Sequence, residues 1–234
     1  MFSRVKGFIG QENLDKIKKS TIAVFGLGGV GGYTVEALVR SGVENIYIFD
    51  SDKVDYSNLN RQIIATVDTV GEDKVSVMKK RILSINPSAK VEINSTFILP
   101  ENIGAIDFSA FDYVVDAIDT VSTKIALIKV AKDNDVPIIS CMGTGGKLDA
   151  TLLKVADIAK TSVCPLARVM RKELKDRQIS GVKVVYSTEE NISDGNFIGN
   201  KADGKRAPAS MIFVPATAGL MLAREVILDI INQD

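Results

Sequence analysis

Apolar and polar positions follow two rhythms along the chain as far as Ser140. Thr21–Phe25 is a short apolar run that ends in glycines, and Thr34–Arg40 continues with helical spacing; together they predict strand, turn and helix. Asn45–Phe49 predicts a second strand, stopping at Asp50. In Lys74–Ile85 the residues Val75, Met78, Ile82 and Ile85 recur at the spacing of one helix face, before the Asn86-Pro87 break and a strand at Lys90–Ile93. Tyr113–Ala117 then reads as strand, Lys124–Ala131 as helix and Val136–Ser140 as strand. This alternation implies right-handed βαβ units. The expected fold is α/β: a Rossmann-like, mostly parallel sheet with helices on both faces.

Beyond Gly143 the rhythm loosens. Lys154–Ala156 and Lys183–Val185 are short strand candidates with a helix, Pro165–Arg177, between them. Ser187–Pro208 is polar and rich in Gly, Asn and Asp, which predicts a mobile loop. Val214–Ile231 is apolar but broken by Arg224, Glu225 and Asp229; it falls short of a membrane span and reads as a buried or oligomer-interface helix. With 234 residues, 46% of them hydrophobic, the chain can bury one substantial core, and its length gives no reason to divide it. One unit is expected over 1–234, with 144–234 completing the substrate face.

Composition narrows the chemistry. The 29 basic and 29 acidic side chains cancel, so no global charge draws the chain to nucleic acid or membrane. The absence of histidine removes imidazole acid–base catalysis, Ser-His-Asp triads and most catalytic zinc sites. Cys141 and Cys164 form no CxxC pair and read as reduced thiols, the first buried at a strand end and the second packing at a helix entry. The first twenty residues carry charges every few positions and lack the apolar run of a secretory signal, so a cytoplasmic location is expected. Carboxylates, lysine, arginine and backbone amides remain to carry a mechanism.

Gly26-Leu27-Gly28-Gly29-Val30-Gly31 lies between the first strand and the first helix of the alternation, where glycines let the backbone approach a phosphate and the helix N-terminus direct its amides at the anion. Asp50 follows Gly31 at about the ~20 residues expected of a carboxylate that binds a ribose hydroxyl. A nucleotide is expected from these features; a dinucleotide-dependent oxidoreductase and an ATP-using enzyme both stay open at this point.

The next segment separates them. Asp50-Ser-Asp52-Lys-Val54-Asp55-Tyr-Ser57-Asn58-Leu59-Asn60-Arg61-Gln62, followed by Gly71-Glu-Asp-Lys74, resembles the D-x-D-x-V-x-x-S-N-L-N-R-Q and G-x-x-K signatures of the E1-like (ThiF/MoeB-type) superfamily, which activates carboxylates by adenylation. The resemblance implies ATP and Mg²⁺ as cofactors. Arg61 and Lys74 would neutralise charge gathering on the phosphates, aided by the amides of Gly26, Gly28, Gly29 and Gly31. Asp50 would fix the ribose, Asn58 matches a position near the phosphates, and Asp52 joins the nucleotide-binding set. Asp119, in Val115-Asp116-Ala-Ile-Asp119-Thr120, matches the family aspartate that holds Mg²⁺ and orients the α-phosphate. A homodimer is implied because relatives usually form one. The arginine that reaches a neighbouring subunit's nucleotide in relatives has no clean counterpart, with Arg4 and Lys6 as substitutes.

Within the superfamily, the chain lacks the paired CxxC zinc motifs of the thiamin and molybdopterin branches and resembles the tRNA threonylcarbamoyladenosine dehydratase branch. The resemblance runs through Thr144–Asp149, Val155–Thr161, Pro165–Arg168 and Phe213–Gly219, with Ala150 and Ala209 where many relatives have proline and glycine. It implies ATP-dependent adenylation of the threonine carboxylate of N6-threonylcarbamoyladenosine at position 37 of tRNA. Attack by the nucleoside's carbamoyl group then closes a ring. Whether a monovalent cation is also required stays open. The competing function is activation of the C-terminal glycine of a small sulfur-carrier protein, with a sulfur-relay or carrier partner in place of tRNA.

Charge distribution supports tRNA independently. Between Lys147 and Arg206 stand 12 Lys and Arg against 8 Asp and Glu, a local excess in a neutral chain. In Pro165–Arg177, Arg168, Arg171, Lys172 and Lys175 share one helical face, with Leu166, Val169, Met170 and Leu174 on another. With Lys160 they form the expected tRNA backbone contact.

Overall fold

The structure, a computed structural model, describes residues 1–191 and 209–232. Among these, β1 (Thr21–Phe25) is an interior strand of a seven-stranded sheet, paired in parallel with β2 (Asn45–Phe49) on one side and β4 (Tyr113–Asp116) on the other. β3 (Lys90–Asn94) extends the sheet beyond β2; β5 (Ile138–Cys141) and β7 (Lys183–Ser187) extend it beyond β4, all parallel. β6 (Leu153–Asp157) closes that edge antiparallel to β7. Every residue of β4 and β5 is buried, as expected of parallel strands covered on both faces.

Alternate residues of the strands feed two cores. Ile22 and Val24 of β1 face a layer made by α1 (Ser3–Lys19), α2 (Gly31–Arg40), α3 (Lys74–Ile85) and α6 (Phe213–Ile231), which contribute Ile17, Leu38, Met78 and Leu222. Ala23 and Phe25 face the opposite layer, where α4 (Val121–Asp133) and α5 (Pro165–Asp176) supply Leu127, Ile128, Met170 and Leu174. α6 packs on α2 with almost no side chain between them: a Cβ on Gly219 would lie 2.4 Å from the Val30 carbonyl oxygen, and Thr34 Oγ1 donates to the Gly219 carbonyl at 3.1 Å. The sequence of chain reversals places β1 and β4 at the switch point of the sheet, whose strand order is β3-β2-β1-β4-β5-β7-β6. In such sheets a ligand crevice opens beyond the carboxyl ends of the two switch-point strands.

The expected elements are all present, with several boundaries moved. α4 begins at Val121 rather than Lys124, and β5 begins at Ile138 rather than Val136. Asp135 adopts a φ of 55° in the connecting turn, and the Val136 amide returns to the Ala131 carbonyl at 2.9 Å, so Val136 finishes the helix instead of starting the strand. Helix α1 is unanticipated. It buries only Leu14 and Ile17 and is interrupted at Gly10 (φ 84°, ψ 169°), so its apolar rhythm is too weak to read. Ser187, where the polar loop was expected to begin, completes β7, and residues 192–208 of that loop lie outside the described residues. Among the described residues no helix is long and apolar enough to cross a membrane.

Candidate active site

β1 ends against a turn that only glycine can make. Gly26 has φ +90°, and a Cβ there would sit 2.7 Å from the Ala117 carbonyl oxygen, on the loop that leaves β4. A Cβ on Gly31 would lie 1.8 Å from the Gly26 carbonyl oxygen. The turn is therefore closed on itself and on the β4 loop, and it leads directly into the first residues of α2. An ideal Cβ on Gly28 meets only Gln62 Nε2, at 4.0 Å, among the described residues, and Gly29 lies against Arg61 and Pro215, with the Arg61 carbonyl oxygen and Cγ at 3.3 and 3.4 Å and Pro215 Cβ at 3.3 Å from its ideal Cβ.

Asp50, one residue beyond β2, fixes the turn from the other side. Its carboxylate accepts from the Leu27 amide at 2.6 Å and from the Asp52 amide at 2.8 Å. Burial raises the Asp50 pKa above the ordinary carboxylate value, with Lys74 and the two amides opposing the rise. Each carboxylate oxygen retains a lone pair for a further donor. The segment after Asp50 runs back along the entrance to α3: the Val54 amide donates to Glu72 at 2.9 Å and the Gly71 amide to Val54 at 2.8 Å, with Gly71 at φ +89°. That pairing brings Lys74, the first residue of α3, to Asp52. Lys74 Nζ meets Asp52 Oδ2 at 2.8 Å; the lysine side chain is 5% exposed and the aspartate 65%.

Tyr56–Asn58 forms a single 3-10 turn capped by Asp55, whose carboxylate accepts from the Ser57 amide, while the buried Asn58 side chain accepts from the Asp55 amide at 3.1 Å. Asn58 is thus fixed as a scaffold beneath Arg61. Arg61 Nη1 donates to the Ser57 carbonyl at 2.7 Å and to Asn60 Oδ1 at 2.9 Å. Among the described residues no carboxylate pairs with it, and burial lowers its pKa from the usual arginine value. Gln62 is the functional candidate given no role in the sequence reading. It is 7% exposed, its Nε2 lies 4.0 Å from the ideal Cβ of Gly28, and its Oε1 has no hydrogen-bond partner among the described residues. A buried orphan acceptor beside the glycine turn leaves a place for a ligand donor.

Asp119 is exposed on the β4–α4 loop, where Oδ1 accepts from Thr120 Oγ1 at 3.3 Å. The start of that loop, Ala117 and Ile118, lies against Gly26. Asp116, quoted without a role in the sequence reading, is fully buried and pairs with Lys124 of α4. Cys141, at the end of β5, is buried and its pKa is pushed up to about 12 by desolvation, so its thiol is inert at neutral pH. Cys164 caps α5 ahead of Pro165 and is likewise buried, packing against the site of Gly143 at 3.8 Å.

The basic helix differs from expectation in two side chains. Val169 is 44% exposed, and the buried stripe is Ala167, Met170 and Leu174, because Val169 lies about 100° round the helix from Met170, off the stripe. Arg171 turns inward far enough to donate to the Thr161 carbonyl at 2.8 Å and to Thr161 Oγ1 at 2.6 Å. Arg168, Lys172, Lys175 and the neighbouring Lys160 are exposed.

The switch point thus gathers a glycine turn, the Asp50 carboxylate that fixes it, Arg61 against Gly29 and Lys74 at the head of α3; the chain belongs to the ThiF family, whose model matches residues 2–233. It is 41% identical to the tRNA threonylcarbamoyladenosine dehydratase of Bacillus subtilis, across 99% of this chain and 94% of that relative. The crystal structure of the Escherichia coli tRNA N6-threonylcarbamoyladenosine dehydratase in complex with ATP superposes with a TM-score of 0.89 at 34% identity, covering 98% of this chain and 93% of that one. The same E. coli enzyme in complex with AMP superposes with a TM-score of 0.88.

Proposed function

We infer that the chain is an ATP-dependent carboxylate-activating enzyme that cyclises N6-threonylcarbamoyladenosine in tRNA, with net loss of water. The observation that carries this reading is the convergence, at the β1–β4 switch point, of a glycine turn, an Arg61 guanidinium held by neutral oxygens alone among the described residues, and a Lys74 ammonium paired with an exposed carboxylate. Similarity to a dehydratase along 99% of the chain supports the choice of substrate.

The nucleotide lies along the turn, with its phosphates at the amides of 28–31 and its ribose at Asp50. Lys74 transfers from Asp52 to a phosphate oxygen, and Arg61 carries the charge that develops on departing pyrophosphate. The Gln62 Oε1 orphan accepts from the nucleotide or from an ordered water. A magnesium ion would enter with the nucleotide: Asp119 offers an exposed carboxylate on the loop whose first residues, Ala117 and Ile118, lie against Gly26. Bound there, the ion supplies charge neutralisation between two anions. Activation joins the threonine carboxylate to the α-phosphorus and releases pyrophosphate; the carbamoyl group then attacks the activated carbonyl, and AMP leaves with one carboxylate oxygen.

Arg168, Lys172 and Lys175 of α5, with Lys160 just before it, supply a phosphate-binding face for tRNA; the N-terminus of α5 packs at Gly143, just beyond the carboxyl end of β5. Residues 144–234 thereby complete the substrate face. A second copy of the chain covers the exposed Met211, Phe213 and Leu220 at and along α6, giving a homodimer. A cytoplasmic location accords with a tRNA substrate.

Mass spectrometry of nucleosides from threonylcarbamoyl-modified tRNA, incubated with the protein and Mg-ATP, tests the reading. The modified nucleoside is expected to lose the mass of one water only when ATP is present. No change, together with ATP–pyrophosphate exchange stimulated by a small protein ending in Gly-Gly, moves the function to carrier activation.

A further inference from the structure

Lys124 is the largest anomaly in the core. Lys124 and Asp116 have 0% side-chain exposure, and their charges meet at 2.9 Å. Burying an ion pair costs more than an apolar pair of similar volume unless every donor and acceptor is used. Here they are. The three ammonium protons go to Asp116 Oδ2, to the Cys141 carbonyl at 2.8 Å and to the Ile118 carbonyl at 3.1 Å. Asp116 Oδ2 also accepts from Ser140 Oγ at 2.5 Å, and Oδ1 accepts from the Ile118 amide at 3.1 Å.

The network grips one residue twice. Ile118 gives its amide to Asp116 and its carbonyl to Lys124, so both peptide groups flanking its side chain are fixed. Ile118 directly precedes Asp119, and the Ala117 carbonyl beside it is the group against which Gly26 closes. A purely apolar core at this point would leave the two Ile118 backbone groups without these partners and the loop free to shift relative to the glycine turn. Cys141, held at its carbonyl by the same ammonium, ties the loop to the end of β5.

We propose that Lys124 and Asp116 form a buried positioning pair that sets Asp119 against the glycine turn. Neither touches the nucleotide; they act through the loop 117–119. This rests on the reading of Asp119 as a catalytic group given above.

The test uses the full chain carrying Lys124→Met with Asp116→Asn, a neutral replacement that leaves no buried charge unpaired, with Asp119→Ala and the triple variant beside it. Rates of nucleoside cyclisation and melting curves are measured for each. The expected result is a cooperatively melting double variant whose kcat falls on the order of a hundredfold, the effect of displacing a reacting group by about an ångström, with KM for ATP little changed. In the Asp119→Ala background the same two substitutions are expected to change kcat no further. Undiminished kcat in the double variant, with Asp119→Ala inactive, overturns the positioning role alone, as does an equal multiplicative loss in the triple variant. Full activity in Asp119→Ala overturns the reading of that residue and the positioning role with it. If the double variant does not fold, Ser140→Ala, which deletes one hydrogen bond to Asp116, carries the test. A kcat loss on the order of threefold to tenfold at unchanged KM supports the pair, and no loss overturns it.

Discussion

Lys74 and Asp52 meet at 2.8 Å with 65% of the aspartate side chain exposed, whereas Lys124 and Asp116 meet at 2.9 Å with neither side chain exposed. The two pairs lie on opposite sides of the glycine turn and consist of the same two groups. Solvent around Asp52 makes the first pair exchangeable: water can replace the ammonium on the carboxylate, so Lys74 can leave for a phosphate at small cost. The second pair has no such substitute and no room to move. One lysine is placed to follow a ligand, the other to keep a backbone from following anything.

Breaking each pair in the same way separates these roles. Lys124→Met strands Asp116 in the core and is expected to cost about 3–5 kcal/mol of stability, read from the midpoint of chemical denaturation. Lys74→Met returns Asp52 to water, so its cost in the same measurement should stay below about 1 kcal/mol, while cyclisation slows by about 10²–10³. Similar stability losses in the two variants would erase the distinction. A smaller effect is expected from Gly219→Ala, whose Cβ would meet the Val30 carbonyl oxygen at 2.4 Å and Tyr33 Cβ at 2.9 Å. Pushing α6 from α2 should cost about 1–3 kcal/mol and weaken ATP binding by calorimetry, because Val30 belongs to the glycine turn.

How much of this the sequence disclosed follows the same division. Lys74 was legible through the Gly71–Lys74 string, which resembles the G-x-x-K signature of the superfamily and whose glycine the structure shows at the positive φ of the turn into α3. Asp50 and the glycine turn were legible from their place between strand and helix and from their spacing, since local backbone geometry is written locally. Lys124 was not. It sits in the predicted helix Lys124–Ala131 as an ordinary charged residue, and only the crossing of β4, β5 and α4 buries it beside Asp116 and Ser140. Gln62 stood in plain view at the end of the S-N-L-N-R-Q string, but the orphan state of its oxygen depends on what packs around it. The reversal of Val169 has a simpler cause: a residue adjacent to the buried Met170 lies about 100° round the helix from it and need not share its face.

The most direct measurement is the fate of a labelled oxygen. With the threonine carboxylate of the tRNA-bound nucleoside enriched in oxygen-18, one turnover with Mg-ATP should deliver label to AMP and leave pyrophosphate unlabelled, and Lys74→Met should release little of either. Label appearing in inorganic phosphate alongside ADP would mean that the carboxylate attacks the γ-phosphate, and would contradict adenylation at the glycine turn.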